Sequence, residues 1–117
     1  MRVCNEGFEQ EFINENSDMY AIAFTQNLLS GRWKYFILWY LKNETRRYSD
    51  IKKFLGDLSQ GSLTKQLKEL ENDGVIQRDV YPVVPPRVEY SLTEKGMKLL
   101  PILEKMKDFG KEFGGNR

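Results

Sequence analysis

Three of the chain's four prolines fall between Pro82 and Pro86, in the stretch "VYPVVPPRVEY". Proline fixes φ and has no N–H to donate, so these residues cannot continue a paired strand. The runs on either side, Val75–Tyr81 and Val88–Leu92, are rich in valine and tyrosine. The second alternates strictly, with Val88, Tyr90 and Leu92 on one side. Residues 82–87 therefore read as the stiff tip of an antiparallel hairpin, with Arg87 at its exit. Whatever else the chain forms must pack against that hairpin.

Most of the remaining sequence has helical period. Phe8, Phe12 and Ile13 suggest a short N-terminal helix or a frayed arm. Asp18 can cap a helix with Ala21, Ile22, Thr25, Leu28 and Leu29 on one face. Trp33–Leu41, "WKYFILWYL", is apolar almost all round. Such a segment is buried on several sides. It reads as the central helix, with a buried strand as the second choice. A short extended piece at Arg47–Tyr48 leads to a helix with Ser49 as N-cap and Gly56 as C-cap. Ile51, Phe54 and Leu55 should face inward. Ser59 caps the next helix, Leu63, Leu67 and Leu70 form its stripe, and Gly74 stops it. Thr93 and Glu94 open the last helix, whose apolar face is Leu99, Ile102, Leu103, Met106, Phe109 and Phe113. Pro101 lies inside it and should kink or divide it.

The expected fold is mainly α with a small antiparallel β hairpin (α+β). The 117 residues suffice for one domain with its own core. The expected division is an N-terminal extension (1–17), a single domain (18–113) and a frayed C-terminus (114–117).

Composition narrows the chemistry. There is no histidine and one cysteine, Cys4. That removes most zinc sites, Ser-His and Cys-His catalysis, and any disulfide within the chain. No phosphate-binding glycine loop occurs. No cofactor and no enzymatic activity are expected. No run of about 18 apolar residues is present and the first residues are acidic, so no membrane partner and a cytoplasmic location are expected.

Charge is unevenly spread. Residues 1–31 carry one basic and five acidic side chains, a net of −4, and residues 32–53 carry seven basic and two acidic, a net of +5. That asymmetry fits either a face turned to a polyanion or an ordinary solvated helix–turn–helix surface.

A helix pair joined by a short turn and followed at once by a two-stranded hairpin is the layout of a winged helix-turn-helix. There the second helix of the pair enters the major groove. Four stretches give the likeness a family: "LLSGRWKYFILWYL" (28–41), "RRYSDIKKFLG" (46–56), "LSQGSLTKQLKELENDGVIQR" (58–78) and "VYPVVPPRVEYSLTEKGMKLLPIL" (80–103). In these the chain resembles the HxlR-type regulators of the MarR-like winged-helix group. The resemblance implies a dimeric bacterial or archaeal DNA-binding transcription regulator, with N- and C-terminal dimerisation helices. It also implies double-stranded DNA and a second copy as partners. Three departures stand out. Oxidant-sensing members place a cysteine about a dozen residues ahead of the tryptophan, where this chain has Met19 and Tyr20. Gly61 and Ser62 stand where a lysine and a bulky residue are common. Residues 1–17 fall outside the likeness.

With Leu63 turned to the core, Gly61, Lys65 and Lys68 point outward and Ser62 and Thr64 flank them. Gln60, next to the cap Ser59, sits where base edges are usually met. These seven residues form the expected reading surface. The segment 59–90 has four basic and five acidic side chains, a net of −1. Phosphate charge should therefore come from Arg46, Arg47, Lys52 and Lys53, with Ser49 beside them, each cation contributing a slope of about −1 in log K against log salt. Pro85, Pro86 and Arg87 would form the wing contact, unless Arg87 pairs with Asp79 or Glu89. The signal would be a small molecule or an oxidant acting at Cys4. The reading is a homodimeric sequence-specific regulator, a repressor, on an inverted-repeat operator. The alternative is a winged-helix protein-interaction module that does not bind DNA.

Overall fold

The computed structural model describes residues 17–115. Cys4 and the expected arm around Phe8, Phe12 and Ile13 lie outside the described residues. The chain falls into two compact units that meet in sequence between Arg32 and Trp33.

The described part of the first unit is one helix, α1 (Ser17–Leu29). Asp18 lies within its first turn rather than at the cap. Its buried residues are Ala23, Leu28 and Leu29, while Ile22 is 61% exposed. Leu28 and Leu29 are thus buried as expected, while Ala21 and Ile22 are exposed and Ala23 is buried in their place. Apolar residues occur on every side of "YAIAF", so periodicity alone could not choose one.

The second unit carries the remaining elements. They are α2 (Lys34–Tyr40), β1 (Arg46–Arg47), α3 (Tyr48–Leu55), α4 (Gln60–Asn72), β2 (Ile76–Tyr81), β3 (Arg87–Leu92), α5 (Glu94–Met97) and α6 (Leu100–Phe113). The hairpin is present, with Ile76 opposite Leu92 and Tyr81 opposite Arg87. The extended piece falls one residue earlier than expected and pairs with β3, Arg46 opposite Tyr90. The sheet is therefore three-stranded and antiparallel, in the order β1-β3-β2. Arg87 belongs to β3, not to the tip. Unlike its proline neighbours it keeps an N–H, and the turn shortens to residues 82–86.

The core is built from Ile37, Leu38, Leu41, Ile51, Leu63, Leu67, Leu70 and Val75, all at 2% exposure or less. Each such side chain contributes about 1.5–3 kcal/mol relative to exposure. Two expected inward residues are not in it. Phe54 is 51% exposed and stacks flat on Tyr40, ring centroids 4.0 Å apart. Phe36 is 50% exposed, so α2 is a core helix on one side only. Its other side, with Tyr35, Phe36 and Trp39, forms a shallow apolar hollow with Leu103, Met106 and Lys107 of α6. Lys42 joins α2's end to α6 through Glu104 at 3.0 Å. Lys107 and Lys42 together hold the Glu104 carboxyl below its ordinary pKa.

Two further details fix the wing. Gly74 has φ +78°, the left-handed turn that ends α4 and releases the chain into β2. Thr93 Oγ1 donates to the Gly74 carbonyl (2.7 Å) and accepts from the Gly96 N–H (3.0 Å), tying the start of α5 to the same point. Gly96 sits so close that a Cβ there would strike the Val75 carbonyl. Pro101 does divide the last helix, standing in the first turn of α6 where its missing N–H costs nothing.

Candidate nucleic-acid interface

The expected reading surface depends on how α4 is held. Ser59 Oγ accepts the Ser62 N–H at 3.1 Å, satisfying one of the free donors of the first turn. Leu63, Leu67 and Leu70 face the core. Ser59, Gln60, Gly61, Thr64, Lys65 and Lys68 are exposed and Ser62 is half-buried.

Polar links also hold this helix, and the sequence reading missed them. Gln66 is 8% exposed, and its Oε1 accepts the Trp33 N–H at 3.0 Å. Its Nε2 donates to Ser62 Oγ at 3.4 Å. Lys34 is fully buried, and its Nζ lies 2.7 Å from Glu69 Oε1, an ion pair by distance although the angle falls outside hydrogen-bond geometry. α4 is thus clamped to the start of α2 by an amide and by a buried charge pair. The available signals were weak: Gln66 sits on the leucine face of α4, and Lys34 is the one charge inside "WKYFILWYL".

The structure of α3 differs from expectation at its start. Tyr48 is the first helical residue and Arg47 holds the cap position, its N–H donating to Asp50 Oδ2 at 3.2 Å. Ser49 is therefore not the N-cap. A carboxylate three residues on captured the backbone N–H instead, as Glu does in a capping box.

Between α3, α4 and the wing lies a groove of about 660 Å³. It brings together Arg47, Ser49, Gln60, Thr64, Arg87 and the wing prolines Pro85 and Pro86 from the expected set. Lys52, Lys53, Ser59, Gly61, Ser62 and Lys65 do not line it. Lys68 lines a smaller hollow of about 300 Å³ alongside. Arg78 lines both spaces and was not foreseen.

The arginines differ in what already holds them. Arg46 lies 4.1 Å over the Tyr40 ring, donates from Nε to the Tyr40 carbonyl at 3.2 Å, and meets Glu44 at 3.2 Å. It is turned away from the groove. Arg87 Nε lies 3.0 Å from Glu89 Oε2, and its guanidinium covers the Tyr81 ring at 4.7 Å. That is the internal pairing with Glu89 that the sequence left open, again short of hydrogen-bond alignment. Arg47 and Arg78 form no ion pair among the described residues. Tyr90 is 6% exposed, and burial raises its pKa, while the neighbouring Arg78 opposes the rise.

Residues 28–117 match the family model described as HxlR-like helix-turn-helix. The chain belongs to that family. Its relatives are transcriptional regulators rather than enzymes. An uncharacterized HTH-type transcriptional regulator of Methanothermobacter thermautotrophicus is 38% identical over 111 residues, 95% of this chain and 85% of that one. The solved structure of the redox regulator HypR in its oxidized form has a TM-score of 0.75 and 39% identity, covering 83% of this chain and 97% of that one. The reduced form of the transcriptional regulator YodB from B. subtilis has a TM-score of 0.69 and 32% identity, covering 82% and 91%. In a winged helix-turn-helix of this family, α3 and α4 are the helix pair and β2 and β3 are the wing. Among the described residues no helix is long and apolar enough to cross a membrane.

Proposed function

We propose that this chain is a cytoplasmic homodimeric transcription regulator, a repressor, that binds an inverted-repeat operator. One observation carries it: the polar face of α4 and the wing flank a single groove lined by Arg47 and Arg78, neither of which forms an ion pair among the described residues. A duplex would place α4 in the major groove and the wing on the adjoining backbone, with half-sites roughly 34–36 Å apart. Binding-site selection from a random duplex pool, followed by anisotropy titration, tests this. A symmetric selected site supports it, and failure to bind any duplex at low salt leaves the protein-interaction module. For the signal, an oxidant is supported by the redox regulator HypR among the similar structures. Each chain has one thiol, Cys4, so an oxidative link would join two subunits. A small-molecule effector would instead act without that thiol.

The arginine commitments give a contrast between neighbours. Arg47→Ala should lower the salt slope of DNA binding by about one unit. Arg46→Ala should leave the slope alone and lower the thermal midpoint, because it strips the Tyr40 stack. Anisotropy at several salt concentrations, with melting curves beside it, checks both.

Gly61 has nothing within 4 Å of where a Cβ would stand. Gly61→Ala should therefore stabilise the helix, by about 0.5 kcal/mol. If the bare backbone allows close approach to DNA, the same variant weakens operator binding. A more stable protein with unchanged affinity would sink the close-approach role.

A further inference from the structure

Three features of the groove converge on one ligand chemistry. The Tyr48 hydroxyl is buried and has no hydrogen-bond partner among the described residues. Burying a hydroxyl without a partner costs free energy, so such a donor favours an acceptor that arrives with the ligand. Arg47 and Arg78 line the same groove and form no ion pair among the described residues. A guanidinium with no carboxylate partner can turn to an oxyanion without breaking an ion pair, whereas Arg46 and Arg87 must each leave a carboxylate. Arg78 is also aimed. It stands directly across from Tyr90 in the sheet, so both side chains share a face, and its charge opposes the rise that burial gives the Tyr90 pKa. Glu71 lines the adjoining hollow but lies beyond ion-pair distance.

We propose that this groove is a phosphate clamp, in which Arg47 and Arg78 supply charge and the Tyr48 hydroxyl a third donor to one phosphodiester of bound DNA. The clamp rests on the DNA-binding reading above and adds Arg78, Tyr48 and the positioning residue Tyr90 to it. A phosphate contact carries no base information. Its loss must therefore weaken every duplex alike.

The test uses the full chain, a duplex selected from a random pool and an unrelated duplex at low salt. Arg78→Gln should weaken both by a similar factor, about tenfold, and reduce the salt slope by about one. Arg78→Lys should keep the slope and lose only part of the affinity, and it carries the test if Arg78→Gln fails to fold. Tyr48→Phe should weaken binding with the slope unchanged. A methylphosphonate scan locates the contact: at one neutral linkage, Arg78→Gln should cause no further loss. Wild-type affinity and slope in both Arg78 variants would overturn the clamp while leaving DNA binding intact. No duplex bound by the wild type would overturn the DNA-binding reading itself. An NMR titration with pyrophosphate separates the sources. Saturable binding that needs Arg78, with DNA affinity unchanged in Arg78→Gln, would make this a free-phosphate site and overturn the proposal.

Discussion

Glu69→Ala should lower the stability of the protein by about 3 kcal/mol, read as a fall in the urea midpoint with an unchanged slope. Glu69 Oε1 is 2.7 Å from Lys34 Nζ, and the Lys34 side chain has no exposure. Removing one partner of a buried pair leaves the other as an uncompensated charge, at a cost of about 3–5 kcal/mol. The lower end applies because the Glu69 side chain is 34% exposed and water can approach from that side. The asymmetry of the pair sharpens the test. Lys34→Met removes the charge and keeps an unbranched chain of similar length, so it should be close to neutral or stabilising, since replacing buried ions by apolar groups often is. The double variant Lys34→Met/Glu69→Ala should then recover most of what Glu69→Ala loses. Equal losses in Glu69→Ala and Lys34→Met would mean that the pair itself stabilises the fold. Because the pair joins α2 to α4, the proposed reading helix, Lys34→Met also asks whether α4 needs it for placement. A stable Lys34→Met protein with weakened operator binding would assign the pair a positioning role.

The pair also marks what one sequence can and cannot reveal. The hairpin was legible because prolines at 82, 85 and 86 forbid anything else there. The frame of α4 was legible from Ser59, Leu63, Leu67, Leu70 and Gly74, since caps and a leucine stripe are local signals. Pro101 announced the break before α6 for the same reason. Long-range choices were not local, and these were lost. β1 is two residues long and exists only because β3 offers it a partner. Phe54 sits at a position that period assigns inward and Phe36 in a segment apolar almost all round, yet each is half exposed. The charge count over residues 32–53 suffered most. Lys34 is in the core, Lys42 is bound to Glu104, and Arg46 is bound to Tyr40 and Glu44. Formal charge does not register those commitments. Arg47 is the one cation of that cluster that lines the groove, and the groove's other cation without an ion pair among the described residues, Arg78, lay in a segment of net negative charge and drew no notice. Its signal was position on the strand, two residues from Ile76 and opposite Tyr90, rather than charge density.

The largest functional effect should come from α6, far along the chain from the reading helix. Ile102 is 39% exposed, Met106 46%, and Phe109 and Phe113 67% each. The two phenylalanines lie one turn apart and touch, with ring centroids at 5.0 Å. A helix that ends in paired exposed rings has an apolar stripe left open among the described residues, and a second copy of the same helix is a self-complementary cover. Phe109→Asp with Phe113→Asp should therefore convert the proposed homodimer to a monomer. Light scattering at micromolar concentration reads that directly. The monomer should keep its fold, because neither ring is part of the core and Leu103 remains to anchor α6. Operator binding should fall by about a hundredfold or more, since the second half-site is no longer presented at the effective concentration that a linked partner supplies. Binding to an isolated half-site should change little. That contrast separates loss of the dimer from damage to the reading surface. A double variant that stays dimeric, or a monomer that binds the full operator as tightly as the wild type, would remove α6 from the interface or the dimer from the mechanism.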